Sequence, residues 1–138
     1  MKRILSACLV ILMITAMIIP VFSAEKENVQ PLYNNIAGIT VGLRIDESTG
    51  TAYASGSVDA YYHVPVEVLV QLQVYKDGQW KTLMTWSDAD VGIAAASGQW
   101  AVESGYNYRA RVTGYICNDL GIPVESETET REQFYPAS

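Results

Sequence analysis

From residue 36 onward, apolar and polar positions alternate with a period of two, broken by turn residues every eight to twelve positions. That rhythm predicts strands joined by short turns. In Ile39-Thr40-Val41-Gly42-Leu43-Arg44-Ile45, the residues Ile39, Val41, Leu43 and Ile45 fall on one face. Asp46-Glu47-Ser48-Thr49-Gly50 has turn chemistry. The second strand, Thr51 to Ala60, turns Ala52, Ala54, Gly56 and Val58 inward. Such small residues let an opposing sheet approach closely or leave room for its aromatic rings. Tyr61-Tyr62-His63-Val64-Pro65 reads as a loop. The third strand sets Val66, Val68, Val70, Leu72 and Val74 on one face and is expected to be the longest and central.

Asp77-Gly78 marks a two-residue hairpin turn. After it, Trp80 to Trp86 is expected to place Trp80, Thr82, Met84 and Trp86 on one side. Ser87-Asp88-Ala89-Asp90 reads as a loop and Val91 to Ala96 as a short fifth strand. Gln99 to Val102 continues that strand after a break at Ser97-Gly98. Tyr106 to Cys117 is a strong strand with Tyr106, Tyr108, Ala110, Val112, Gly114 and Ile116 on one face. The last strand, Val124 to Phe134, carries Glu125, Glu127 and Glu129 and suits a solvated edge that resists pairing with strangers. Seven or eight strands with no capped 3.6-period segment predict an all-β fold. The expectation is a single immunoglobulin-like antiparallel β-sandwich over residues 36–138, with a small barrel as the alternative.

The N-terminus has a different pattern. Lys2 and Arg3 precede an uncharged apolar run from Ile4 to Ile19, then Pro20 and the small-residue segment Val21-Phe22-Ser23-Ala24. This is the layout of a secretory signal peptide over residues 1–24, cleaved after Ser23 or Ala24. A flexible leader, residues 25–35, follows. Secretion is the expected localisation. An uncleaved membrane anchor is the alternative, because the run approaches the about 20 residues a span needs. Leu5-Ser6-Ala7-Cys8 matches a lipobox as a string, but Cys8 stands at the start of the apolar run rather than after it. With no wall-sorting motif or wall-binding repeat before Pro136-Ala137-Ser138, release into the medium is expected, with no membrane contact after cleavage.

Without residues 1–24 the chain keeps seven basic and fifteen acidic residues, a net charge of −8. Such acidity disfavours nucleic acid and anionic membrane surfaces. Cys117 is then the lone cysteine, so no internal disulfide forms and stability must come from the core. Its place in an apolar strand suits a small buried hydrophobe better than a reactive thiol. A disulfide-free exported domain also points to a bacterial source.

Two segments carry a resemblance: Leu72-Gln73-Val74-Tyr75-Lys76-Asp77-Gly78-Gln79-Trp80, running on to Thr85-Trp86-Ser87, and Gly105-Tyr106-Asn107-Tyr108-Arg109-Ala110-Arg111-Val112. Together they resemble small exported proteins of Gram-positive bacteria built on an immunoglobulin-like sandwich. Fibronectin-like modules share the second segment. The resemblance spans about Ile36 to Phe134. It implies fold and export, and it brings no catalytic or binding residues.

No catalytic constellation, metal site or cofactor motif emerges. His63 is the sole histidine, which removes multi-histidine metal sites and leaves one conceivable triad base. No Gly-x-Ser-x-Gly elbow accompanies it. Glu67 and Glu103 are candidates for glycoside hydrolysis only because they lie in or beside strong strands, and nothing in their spacing implies convergence. Asp88-Ala89-Asp90-Val91-Gly92 begins like a calcium loop but lacks the third ligand before its glycine and has Gln99 at position twelve. The suggestive feature is aromatic: Tyr61, Tyr62, Trp80, Trp86, Trp100 and Tyr115 are many rings for a small domain. Rings can fill a core or stand on the surface to stack on sugars and anchor proteins. Tyr61, Tyr62 and His63 are therefore the candidate binding residues, for a glycan, a cell wall or an extracellular protein. The expected function is a non-catalytic binding module. A carboxylate hydrolase and a self-assembling surface component are the alternatives.

Overall fold

The structure, a computed structural model, describes residues Asn35–Ser138. The expected signal peptide, and the expected leader up to residue 34, lie outside the described residues. Seven strands follow in order: β1 (Ile36–Asp46), β2 (Thr51–Ala60), β3 (Pro65–Lys76), β4 (Gln79–Val91), β5 (Ile93–Ala101), β6 (Tyr106–Cys117) and β7 (Pro123–Tyr135). All pairings are antiparallel, in a three-stranded sheet ordered β1-β2-β5 and a four-stranded sheet ordered β4-β3-β6-β7. This is a β-sandwich, as the alternation predicts.

The core is the sum of the inward faces. Ile36, Leu43 and Ile45 come from β1, Ala52, Ala54 and Val58 from β2, and Val66 through Val74 in alternation from β3. Ala94 of β5 joins them, as do Tyr108, Ala110, Val112 and Ile116 of β6. The small inward residues have a visible purpose. A methyl group on Gly56 would meet Val112 Cγ2 at 2.5 Å and Val70 Cγ2 at 2.8 Å. One on Gly114 would meet Val58 Cγ2 at 2.5 Å. Each sheet thus has a glycine gap that receives a valine of the other, which seats the two layers closely.

Strand β3 is central, between β4 and β6, although β4 and β7 are each one residue longer. The hairpin turn has Asp77 at φ 55° and Gly78 at φ 76°, the left-handed pair of a type I′ turn. Asp46 begins the β1–β2 turn, where its Oδ1 accepts from the Ser48 backbone N–H at 3.0 Å and hydroxyl at 2.6 Å. These bonds hold the carboxyl below its ordinary range.

Three local expectations are corrected. Ser87-Asp88-Ala89-Asp90 is not a loop: β4 runs unbroken through it, with Leu69 opposite Ser87 and Val66 opposite Asp90. These residues are exposed on a strand at the edge of its sheet, where polar side chains are tolerated. Nor does Ser97-Gly98 break β5, since Ser97 pairs with Ser55 and Gly98 with Ala54. Gly98 is there for packing: the Trp86 indole occupies the space its side chain would fill. Finally, Trp80 and Trp86 do not share a side. A register shift between Leu72 and Gln73 skips Leu83 on β4, so the strand changes face. Leu83 and Trp86 pack on the core. Trp80 instead lies on the outer face beside Tyr75, with ring centroids 5.2 Å apart and the Arg109 guanidinium 4.3 Å above it.

That outer face is a polar ladder. Arg109 Nε donates to Gln73 Oε1 at 2.7 Å, Gln73 Nε2 donates to Thr82 Oγ1 at 3.0 Å, and Arg111 donates to Gln71 at 3.2 Å. Burial and the neighbouring Arg111 charge pull the Arg109 guanidinium below its ordinary value. Strand β7 closes this sheet as an exposed charged edge, as expected.

Candidate functional site

Strand geometry gathers two loops, one crossover and a strand start at one end of the sandwich. They are the β2–β3 loop, the β4–β5 crossover at Gly92, the β6–β7 loop and the start of β1. The β2–β3 loop is held by backbone bonds. Tyr61 N donates to Asn35 O at 2.9 Å and Val64 N to Tyr62 O at 2.9 Å. The crossover takes one residue. Gly92, at φ 81°, accepts from Ala60 N at 2.8 Å and donates to Val64 O at 2.9 Å. Only glycine takes that conformation at low cost. His63 Nδ1 lies 3.6 Å from where a Gly92 methyl would be. The β6–β7 loop is closed by Asn118, whose Oδ1 accepts from Leu120 N at 2.9 Å and Ile122 N at 3.0 Å.

The anchored backbone displays its rings to solvent. Tyr61 is 65% and Tyr62 66% exposed, and His63 is exposed too. Around them stand exposed Val91 and Ile93 of the crossover, and Leu120, Ile122 and Val124 of the β6–β7 segment. Seven of the ten exposed large hydrophobic side chains among the described residues therefore sit at this one end. The three predicted residues come together here, and the sequence reading missed their aliphatic neighbours. Leu120 and Ile122 follow an Asn-Asp turn signal, so they read only as loop residues.

The other candidates separate. Glu67 lies early on β3, while Glu103 lies beyond the far end of that strand, 3.7 Å from Lys76. Nine residues of strand separate Glu67 from Lys76, about 30 Å, so Glu67 and Glu103 do not face each other across a cleft. Asp88 and Asp90 are strand residues whose carboxylates accept from the backbone, Asp88 from Ala95 N at 3.3 Å and Asp90 from Val91 N at 2.8 Å. No group of three or more His, Cys, Asp or Glu side chains able to hold a metal comes together among the described residues. Cys117 is buried, and burial, with the Glu67 charge adding to it, pushes its thiol above the ordinary range. The three tryptophans divide: Trp86 packs on the core, Trp80 lies on the outer ladder, and Trp100 is half-exposed at the far end of β5.

A second concavity was not anticipated. The outward face of β1-β2-β5 carries unusually short side chains. The row Gly42–Ser55–Ser97 crosses the three strands, and the next row is Thr40–Ser57–Ala95. They floor a depression of about 780 Å³ that adjoins a smaller one of about 270 Å³. The larger is walled by the row Arg44–Tyr53–Gln99 and by Arg131 from β7. The Arg44 guanidinium stands 4.2 Å above the Tyr53 ring.

No family model and no curated protein sequence matches the chain. Among solved structures it is similar to part of beta-glucuronidase 2 of Bacteroides uniformis, seen covalently bound to cyclophellitol-6-carboxylate aziridine. That likeness has 14% identity and a TM-score of 0.40 over 67% of this chain and 12% of the other. It is also similar to part of a candidate beta-galactosidase from Bacteroides fragilis, with 17% identity and a TM-score of 0.38 over 67% of this chain and 15% of that one. The chain therefore spans less than a sixth of either of these two proteins, and each likeness is to one small part of a much longer chain.

Proposed function

We propose that this is an exported bacterial binding module, and that it contacts an extracellular protein through the Tyr61–Tyr62–His63 end. The observation that supports this reading is the concentration of exposed apolar side chains there. Large apolar groups standing together in water mark interaction surfaces. Tyrosine is also well suited to such contacts, because it brings area and a polar tip at little entropic cost. The flanking aliphatic residues favour an apolar protein surface over a sugar, although the two rings alone would suit either. The backbone bonds that fix the loop hold the rings ready before contact, which lowers the ordering cost of binding.

Replacing Tyr61 and Tyr62 together by serine is expected to weaken partner binding by about 2 kcal/mol or more, the range for an aromatic anchor. The melting temperature should stay unchanged, because both rings are largely solvated. Unaltered affinity in a folded double variant would remove this end from the contact.

A second reading, self-assembly, is favoured by β5. This nine-residue edge strand has no charge and no proline, Ile-Ala-Ala-Ala-Ser-Gly-Gln-Trp-Ala. Such an edge invites pairing, though Asp88 of β4 already takes up the Ala95 N–H. If self-assembly operates, sedimentation will show a concentration-dependent dimer that Ser97→Lys abolishes. A monomer at all concentrations would dismiss it.

A further inference from the structure

We infer that the depression on the outward face of β1-β2-β5 binds an anionic oligosaccharide, one carrying carboxylate or sulfate groups. Among the described residues, Lys76 and Lys81 form ion pairs, and Arg109 and Arg111 donate to glutamines of the outer ladder. Arg44 and Arg131 do neither, yet both line the same depression. In a chain with net charge −6, acidic partners for them are plentiful. Arg44 stacks on the Tyr53 ring, but neither guanidinium has a carboxylate partner among the described residues; two such cations on one concavity repel each other, and an anion between them relieves that repulsion. Arginine also offers a planar fork of donors that matches carboxylate and sulfate oxygens.

The floor selects the rest of the ligand. Gly42, Ser55 and Ser97 leave a shallow, flat bed whose hydroxyls can exchange hydrogen bonds with a hydroxyl-rich molecule. Gln99 adds an amide donor and acceptor on one wall, and Tyr53 adds an aromatic edge. A flat polar bed with two cations on its wall, Arg44 and Arg131, fits a charged sugar chain. An acidic peptide fits less well, because the face of a sheet has its N–H and C=O groups already paired and offers no ladder to an extended backbone. The acidic group nearest the floor on β2 is Asp59, four residues from Ser55 and about 13 Å away along the strand. On β7, Glu129 and Glu132 flank Arg131 without forming an ion pair with it. The smaller depression extends the bed by one row, to Thr40 and Ser57, which gives a chain of sugars a direction in which to run.

The site is separate from the tyrosine end and is tested separately. Calorimetric titration of the purified protein would compare four probes of similar length. They are a galacturonate oligosaccharide, a sulfated heparin fragment, a neutral malto-oligosaccharide and poly-glutamate. Saturable binding of the carboxylated or the sulfated sugar is expected, and the stronger of the two names the anion. Binding should weaken as salt rises. Arg44→Ala and Arg131→Ala should each cost about tenfold in affinity, the usual loss for a hydrogen bond to a charged group. Ser replacement of Tyr61 and Tyr62 should cost nothing. The assignment is overturned if neither charged sugar binds, if the neutral sugar or poly-glutamate binds as tightly, or if the Arg44→Ala/Arg131→Ala double variant, folded by its melting curve, binds unchanged.

Discussion

Gly56→Ala is expected to destabilise the domain by about 1–3 kcal/mol, and Gly56→Val to prevent folding, because the core has no slack at that point. The new methyl would stand 2.5 Å from Val112 Cγ2, 2.7 Å from Val112 Cγ1 and 2.8 Å from Val70 Cγ2. Both valines are fully buried and branched at Cβ, so neither can rotate its methyls aside without striking another neighbour. The sheets would have to separate, and every inward pair would loosen with them. Two controls localise the cause. A methyl group on Gly38 would meet nothing within 4 Å, so Gly38→Ala should lie within about 0.5 kcal/mol of the parent. Val112→Ala made together with Gly56→Ala should recover part of the loss, giving a favourable coupling in a double-mutant cycle read by urea denaturation. Purely additive effects would mean that the clash is not what limits Gly56.

Tyr108→Phe should cost about 1–3 kcal/mol at neutral pH, far more than an exposed tyrosine would. The Tyr108 hydroxyl donates to Glu103 O at 2.6 Å and accepts from Glu103 N at 2.9 Å, stapling the β5–β6 connection to the core. This is the tyrosine corner of immunoglobulin-like sandwiches. Phenylalanine keeps the packing and strips both backbone groups of their partner. The same site predicts a pH dependence. Burial raises the Tyr108 phenol above its ordinary value of 10.0, with the Glu103 charge adding and the backbone hydrogen bond from Glu103 opposing. A raised pKa means that the folded state favours the neutral phenol. This share of stability is fully present below pH 10 and declines as pH rises past 10 towards the folded value. The gap between parent and Tyr108→Phe should therefore narrow in chemical denaturation curves above pH 10. A gap that widened there would contradict the placement.

Where burial is one-sided and regular, the chain announces its structure. In β1, β2, β3 and β6 alternate apolar residues named the inward face correctly, and Asp77-Gly78 named its hairpin. The failures share a cause, namely information held by a neighbouring strand. The skipped Leu83 looks like any other residue until β3 is laid beside it. Ser97-Gly98 has turn chemistry, but its glycine answers to Trp86. Asp88 and Asp90 resemble loop residues because a solvated outer strand tolerates the same side chains. The candidate sites divide in the same way. Three consecutive rings before Pro65 are visible in one dimension. The depression walled by Arg44, Tyr53, Gln99 and Arg131 exists only once register aligns four distant segments. Its one trace in the chain is that β2 and β5 are small on both faces, Ser55 and Ser57 outside as well as Ala54 and Gly56 inside.

The most direct test of the proposed contact end is site-specific photocrosslinking of the full chain expressed in its native host. A photoreactive phenylalanine analogue at position 62 would be compared with the same analogue at position 75. Tyr75 is 44% exposed but lies on the outer ladder towards the opposite end. A discrete adduct is expected from position 62, absent from position 75 and suppressed when Tyr61 is replaced by serine. Equal labelling from both positions, or a discrete adduct from position 75 alone, would contradict the proposed contact end.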